Sequence, residues 1–503
     1  MAFLTRVLTW TMLAVSLTGG VSSAQQASPM PQEHTHHHGE IQPVQPFYPR
    51  MQRAQERAAG KLFTLDEAQR LASDSNPTLR QAEAEIRAAK SRQQQAGLYP
   101  NPTLGYTGDE IRGGSINGGK QGFFVEQSLV TGGKLNKSKD VLGKEIRLAE
   151  IEAEEQKLRV QSAVKTAYYR VLAAQELLDA RSDLSKIETD HAETQRRLFN
   201  SGQADETDVL EAEVDAERMR LSVHMQENTL REEWKSLVAV IGRPDLPQAV
   251  VAGDLEHNWP VIIEEQILDT IAAQSPATQI AAAAAARAKS EIVRAKSQSI
   301  PDLQLRGGLE YNNEPLSTLP HAIGWEGLAE VGMQIPVFNR NQGNLAAATA
   351  GAERARLEQQ RVSLTLRERA STVVDEYANA KLMATEYLEE ILPRAKKAYT
   401  LMLEKYGEML AAYPRVVETQ RKLFTLQAEY ILALESLWTT GIALEGFLLT
   451  DGLEAPARPA EVDRPVRETN VPMPERIMSP MENLPRPKTC PTGHIQCGTL
   501  VPG

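Results

Sequence analysis

"SQSIPDLQLRGG", residues 297–308, ends a helical pattern rich in alanine, lysine and arginine and turns at once into alternating residues. "GLYPNPTLGYTG", residues 97–108, makes the same change two hundred residues earlier. In both, proline stands where helix gives way to strand. It lacks a backbone N–H and biases its predecessor towards extended geometry, so it stops one element and starts the other. In the strand that follows, Leu303, Leu305, Leu309 and Tyr311 fall on one face, and Gln304, Arg306, Glu310 and Asn312 on the other. The next segment, residues 324–337, sets Trp325, Ala329, Val331, Met333 and Ile335 against Glu326, Glu330 and Gln334. In the earlier copy Leu104 and Tyr106, then Phe123, Val125 and Leu129, face away from Glu126 and Ser128.

Strands of about nine to eleven residues are long enough to cross a bilayer at a tilt. An apolar face towards lipid and a polar face towards water is the signature of a transmembrane β-barrel. A soluble hairpin packed on a core would show the same alternation. The helical segments, however, are amphipathic on their own period and leave the strands no partner. Four strands cannot close a barrel, because open edges in lipid leave backbone groups unpaired, so several chains must contribute to one barrel. This reading places Leu104, Tyr106, Phe123, Val125, Leu303, Leu305, Trp325 and Val331 against lipid.

Outward from these strands the chain is duplicated. Asn76 followed by Pro77, and Ser275 followed by Pro276, each have the pattern of an N-cap with proline at the first helical position. Thr64 and Glu67 have capping-box spacing at an earlier helix. After the strands, apolar residues at three- and four-residue spacing predict a helix over 134–199, a turn at "NSGQADETDV" and a second helix to residue 241. The second copy predicts a helix over 342–406, a turn near "MLAAYPRV" and a helix to residue 449. At 1.5 Å per residue the longest of these would span about 100 Å, too long for an ordinary globular domain. Pro393 should kink its helix or divide it into two stacked helices. The resulting organisation is a signal peptide over 1–24, a polar segment over 25–60, a first repeat over 61–260, a second over 261–452, and a proline-rich tail over 453–503.

Composition bounds the function. The 503 residues are 41% hydrophobic, enough for a large core, and the formal charge of −11 does not favour a nucleic-acid partner. Arg6, the apolar run "VLTWTMLAVSLTGGV" and the small residues Ser22, Ser23 and Ala24 read as a secretory signal cleaved after Ala24. The alternative is a single amino-terminal anchor, for which the run is short and glycine-interrupted. No cysteine follows the run, so nothing there suggests a lipid anchor. His34, His36, His37 and His38 offer imidazole ligands for weak metal binding on a flexible segment, or are simply solvated. Cys490 and Cys497 form a disulfide in an exported chain, or hold a metal together with His494. No nucleophile elbow, P-loop, dinucleotide fingerprint or zincin motif is present, so no enzyme is expected and no cofactor is implied. His191 and His224, alone on helices, read as surface or interface residues.

Over residues 61–452 the chain resembles the TolC-like outer-membrane efflux proteins. The resemblance rests on the duplicated "YPNPTLGY" and "IPDLQL" segments, the strand ends "EQSLVTGGK" and "MQIPVFNRNQGN", and the turn "FNSGQADETDVLEAE". Residues 335–343, "IPVFNRNQG", look like the heavy-metal branch of CzcC- and CusC-like proteins. The resemblance implies a mainly α fold with a membrane β-barrel: a homotrimer whose chains each give four strands to one barrel, continued by a long periplasmic tunnel of helices. It also implies passive efflux of heavy-metal cations through the outer membrane, with a periplasmic adaptor (membrane fusion protein) and an inner-membrane resistance-nodulation-division (RND) pump. The two helix-to-helix turns would then form the periplasmic mouth, with Gly202, Asp205, Thr207 and Asp208 at the first tip and Met409, Tyr413 and Arg415 at the second. Gly202 suits a left-handed helix stop, and Thr207 or Asp208 suits the next N-cap. The competing reading is a soluble periplasmic coiled-coil scaffold or adaptor, but an adaptor should carry a lipoyl-like β domain between helical halves, and no such segment appears.

Overall fold

The computed structural model describes residues 62–110, 119–315 and 322–455. The expected signal peptide, the histidine segment with His34, His36, His37 and His38, and the tail with Cys490, His494 and Cys497 lie outside the described residues.

Helices α1 (Leu65–Ser75) and α2 (Pro77–Ala96) lead into strands β1 (Thr103–Asp109) and β2 (Lys120–Leu129), then into α3 (Lys134–Asn200) and α4 (Glu206–Ile241). The second copy repeats the order: α5 (Glu264–Gln274), α6 (Pro276–Ser297), β3 (Leu303–Pro315), β4 (Ala322–Met333), α7 (Gln342–Glu386), α8 (Leu392–Gly407) and α9 (Tyr413–Glu445). The caps agree with the sequence. Thr78 N–H donates to Asn76 Oδ1 at 2.9 Å, Thr278 N–H to Ser275 Oγ at 3.2 Å, and Glu67 N–H to Thr64 Oγ1 at 3.3 Å. Both long helices start from a left-handed residue, Gly133 (φ 66°) ahead of α3 and Asn341 (φ 61°) ahead of α7. Glycine and asparagine are the residues that adopt this geometry most readily, which gives "TGGK" and "NRNQ" a common purpose.

Two boundaries differ from expectation, and at Pro393 the interruption takes a particular form: one π-helical turn, Tyr387–Ile391, separates α7 from α8, with right-handed helical backbone kept at Tyr387, Ile391 and Leu392. The wide turn absorbs the hydrogen bond that proline cannot make. Helix α9 ends at Glu445 rather than near residue 449, because Phe447 and Leu448 are left-handed (φ 55° and 65°) and Leu448 N–H closes onto Ala443 O at 2.7 Å. Strand β4 ends at Met333, and Ile335, Val337 and Phe338 form an exposed segment beneath it, Phe338 being 91% accessible.

The largest core lies midway along the long helices, where α1, α5 and the linkers after α4 wrap them. Equivalent residues of the two copies pin the linkers. Tyr168 Oη donates to the carbonyls of Phe63 and Ala252, and Tyr377 Oη donates to that of Pro260 at 2.7 Å. Trp234 Nε1 reaches Leu246 O at 3.4 Å and Trp438 Nε1 reaches Leu255 O at 3.0 Å, with Trp438 stacked on Tyr169 at 3.9 Å. Nearer the sheet, α2, α3, α6 and α7 pack through small residues, including Ala82, Ala89, Ala288 and Ala355. This gives the alanine run of α6 its purpose, since small side chains let helix backbones approach closely. Buried Arg287 bonds Glu145 at 3.3 Å across the two copies.

Burial lifts the Glu435 carboxyl to about 7, with Arg170 opposing and Glu233 adding to the shift. The folded chain therefore keeps a proton there that the unfolded chain releases above its ordinary 4.5, so stability falls as pH rises from that value through about 7. Glu435→Gln is expected to remove this penalty, stabilising each chain by about 3 kcal/mol at neutral to alkaline pH and by nothing at acidic pH. Thermal unfolding of the two proteins at both ends of the range checks it, and an equal difference at both would contradict it.

Candidate membrane sheet and tunnel mouth

The four strands form one antiparallel sheet in the order β1-β2-β3-β4, with β2 and β3 joining the two copies. The register sets Leu104 opposite Val125, Tyr106 opposite Phe123, Phe123 opposite Leu309, Leu305 opposite Val331 and Tyr311 opposite Trp325. Every residue assigned to lipid thus shares one face. Leu104, Tyr106, Phe123, Val125, Trp325 and Val331 are exposed there, Leu104 at 75% and Val331 at 71%. Leu303 and Leu305 lie on the same face but are half-buried between neighbours. Edge-to-face pairs, Tyr106 with Phe123 and Tyr311 with Trp325, brace this surface. Among the described residues no helix is long and apolar enough to cross a membrane.

The opposite face is polar and internally paired. Lys120 Nζ lies 3.4 Å from Glu326, Asn312 Nδ2 donates to Glu326 at 3.2 Å, and Arg306 lies 3.6 Å from Glu330. Phe124 and Leu328 break the alternation by standing on this face. A methyl group on Gly105 would collide with the Phe124 ring, which the Arg306 guanidinium covers at 3.9 Å. The aromatic ring is therefore held flat against a glycine gap under a cation.

At the foot of the sheet Asp302 accepts the Thr131 N–H and the Lys134 ammonium, each at 2.9 Å, tying the second copy to the start of α3. Among the described residues, β1 and β4 each keep one edge without a strand partner.

Far from the sheet, α3 and α4 meet at the first turn. Gly202 is left-handed (φ 73°), its N–H bonds Phe199 O at 2.9 Å, and Gln203 N–H bonds Leu198 O at 2.8 Å, a Schellman stop. The N-cap of α4 is Asp205, not Thr207 or Asp208. Asp208 reaches back to accept the Asp205 N–H at 3.4 Å, which leaves Thr207 inside the first turn. The second turn has the same stop without glycine: Met409 is left-handed (φ 59°), with its N–H on Tyr406 O and Leu410 N–H on Lys405 O. Tyr413 opens α9 and turns inward, its ring 5.7 Å from that of His191 and 5.8 Å from that of Tyr406, while Arg415 stays exposed and pairs with Glu418 at 3.0 Å. Burial holds Tyr413 above the usual phenol range against a bond to Thr194. It also holds His191 below the usual imidazole range, despite Glu188 and with Arg421 adding to it against Asp215. His224 is exposed beside Glu227.

Sequence reasoning missed the cluster above this tip. Arg421 of α9 grips Glu188 of α3 with two bonds of 2.7 Å and reaches Asp215 of α4 at 2.9 Å. Glu188 is almost fully buried, so this fork is the polar fastening between the two hairpins. No local spacing announces it, because 233 residues separate Arg421 from Glu188. Among the described residues no cluster of His, Cys, Asp and Glu has the makings of a metal site.

The family model described as outer membrane efflux protein matches residues 68–243 and 267–448, once in each copy. The cobalt-zinc-cadmium resistance protein CzcC of Cupriavidus metallidurans is 23% identical over 403 residues, 80% of this chain and 92% of its own. A CusC structure, solved in connection with transmembrane channel formation, superposes with a TM-score of 0.61 at 18% identity, covering 76% of this chain and 91% of its own. The outer membrane protein VceC of Vibrio cholerae superposes at 0.60 and 18%, covering 80% and 98%. The outer-membrane channel OprN gives 0.62 and 15%, covering 77% and 90%. With both copies matched and the sheet and long helices in the same arrangement, the chain belongs to the outer membrane efflux protein family, an outer-membrane β-barrel continued by a long helical part in the periplasm.

Proposed function

We propose that three copies of this chain form the passive outer-membrane duct of a tripartite efflux system for heavy-metal cations, fed by a periplasmic adaptor and an RND pump. The sheet carries this reading: its outward face is apolar and exposed, its inward face is charged, and two free edges demand further strands. A soluble coiled-coil scaffold would leave the outward face without a partner. The metal assignment is supported by the relative's name, a cobalt-zinc-cadmium resistance protein. The duct supplies a water-filled path and no chemistry, so energy comes from the pump. Deleting the gene is expected to lower tolerance to divalent cobalt, zinc or cadmium, or to copper or silver, and re-expression to restore it. Unchanged tolerance to all of them, with altered tolerance to organic toxicants, would overturn the metal assignment and leave the duct standing.

The two turns are read as the mouth of this duct, with Gly202, Asp205, Thr207 and Asp208 shaping one tip and Met409, Tyr413 and Arg415 the other. Tyr413 acts by anchoring the start of α9 on His191 rather than by reaching into open space. Tyr413→Ala is therefore expected to loosen the tip and raise single-channel conductance in planar bilayers more than Arg415→Ala. No change in either variant would remove the second tip from the gate.

A further inference from the structure

Arginine and carboxylate side chains keep their charge through the neutral range, whereas imidazole changes its charge there. At the helix ends that group is His191, one turn nearer the tip of α3 than Glu188. Its ring lies 5.7 Å from that of Tyr413, the first residue of α9, and Tyr406 of α8 lies 5.8 Å from Tyr413. His224 and His257, the other histidines among the described residues, are exposed beside Glu227 and Asp254.

The surroundings of His191 suit a neutral ring. Gln195 Nε2 lies 3.1 Å from His191 Nε2, a contact in which the ring nitrogen accepts, and Nδ1 is buried with no hydrogen-bond partner. Protonation makes both ring nitrogens donors. Nε2 would then face the Gln195 amide donor, and Nδ1 would need an acceptor. The carboxylates that face the ring are Glu188 on its own helix and Asp215 on α4, and Arg421 of α9 already holds them at 2.7 and 2.9 Å. The Tyr413 hydroxyl is engaged with Thr194 and faces Asp190. A charged His191 therefore gains a partner by drawing a carboxylate away from Arg421, and it sets a second cation beside that arginine.

We infer that His191 is a proton-operated catch on the periplasmic mouth: neutral, it leaves Arg421 free to fasten Glu188 and Asp215, and charged, it breaks that fork and releases the tip. The inference rests on reading the two turns as the mouth of the duct and adds its regulation. Burial, with Arg421 adding to it, holds the ring below its ordinary 6.5 against Glu188 and Asp215. An opened mouth lifts that burial and takes the proton more readily, so the open form gains as pH falls through 6.5 towards the lower value of the closed form.

The test is single-channel conductance of the full chain, extracted from outer membranes and placed in planar bilayers, at about pH 7.5 and about pH 5, either side of imidazole titration. For wild type the ratio of open to closed channels is expected to rise with acid, by up to about tenfold per pH unit for each histidine that titrates. His191→Gln, which takes no proton, should stay closed at both values, and His191→Lys should be open at both. Arg421→Ala, open at both, reports on the mouth itself. An acid response in His191→Gln equal to that of wild type, or a His191→Lys channel closed at neutral pH, would overturn the catch and leave the mouth standing. Arg421→Ala indistinguishable from wild type at both values would overturn the mouth reading and the catch with it.

Discussion

Val331→Arg is expected to prevent the chain from assembling in the outer membrane. Val331 is 71% exposed on the outward face and pairs with Leu305 in the middle of β3 and β4, the face proposed to meet lipid. Arginine at the midplane of a barrel costs about 2–4 kcal/mol, and a trimer carries the substitution three times. The total, about 6–12 kcal/mol, is comparable with the net stability of a whole domain. Leu305→Arg should act in the same direction more weakly, because Leu305 is half-covered and its neighbours can shield part of the charge. Glu330→Gln serves as the control: it removes only the weak 3.6 Å pair with Arg306 on the inward face. Membrane fractionation of the three variants checks this. Equal recovery of Val331→Arg and Glu330→Gln would mean that the faces are reversed or that the sheet never meets lipid.

Arg421→Ala is expected to open the tunnel end. The change strands the buried Glu188 carboxylate and frees Asp215, and breaking a buried pair from one side is worth about 3 kcal/mol per chain where the removed partner is itself partly exposed. Both hydrogen-bonded partners of Arg421 lie in the first copy, so the loss separates α9 from α3 and α4. Limited proteolysis near residues 188–215 should quicken, and conductance should rise. Arg421→Lys keeps the charge without the two-pronged geometry and should fall between. Arg421→Ala with Glu188→Ala should recover part of the loss, because no charge is then left buried. Cleavage and conductance equal to wild type would show that the fork does not fasten the hairpins.

The faces of the sheet were legible because strand periodicity is two, and the register confirms that one parity runs through β2, β3 and β4. Phe124 and Leu328 take the inward face by the same parity, but what lets an apolar ring sit on a polar face was not legible: for Phe124 it is the Gly105 gap opposite and the Arg306 guanidinium above the ring, neither of which alternation shows. Helix starts at Asn76 and Ser275 were readable from short-range chemistry, and so was the stop at Gly202. The α4 cap was misplaced by two or three residues because "ADETD" offers several competent oxygens, and backbone geometry selects Asp205. Met409 concealed a left-handed stop in a residue that rarely makes one. The π-helical turn before Pro393 and the Arg421 fork depend on partners distant in sequence or on how strain is shared along a helix. Neither leaves a local pattern.

If one face of the sheet meets lipid and the other water, cysteine scanning along β4 from residue 325 to 333 will separate the two faces residue by residue. With Cys490 and Cys497 replaced by serine and the protein assembled in membranes, each position in turn is exposed to a small charged thiol reagent and, separately, labelled with a fluorophore quenched by lipid-borne groups. Positions 326, 328, 330 and 332 should react with the aqueous reagent, while 325, 327, 329, 331 and 333 resist it and are quenched from the lipid. Uniform reaction at all nine positions would contradict the account, because it would make β4 part of a hairpin bathed in water on both faces.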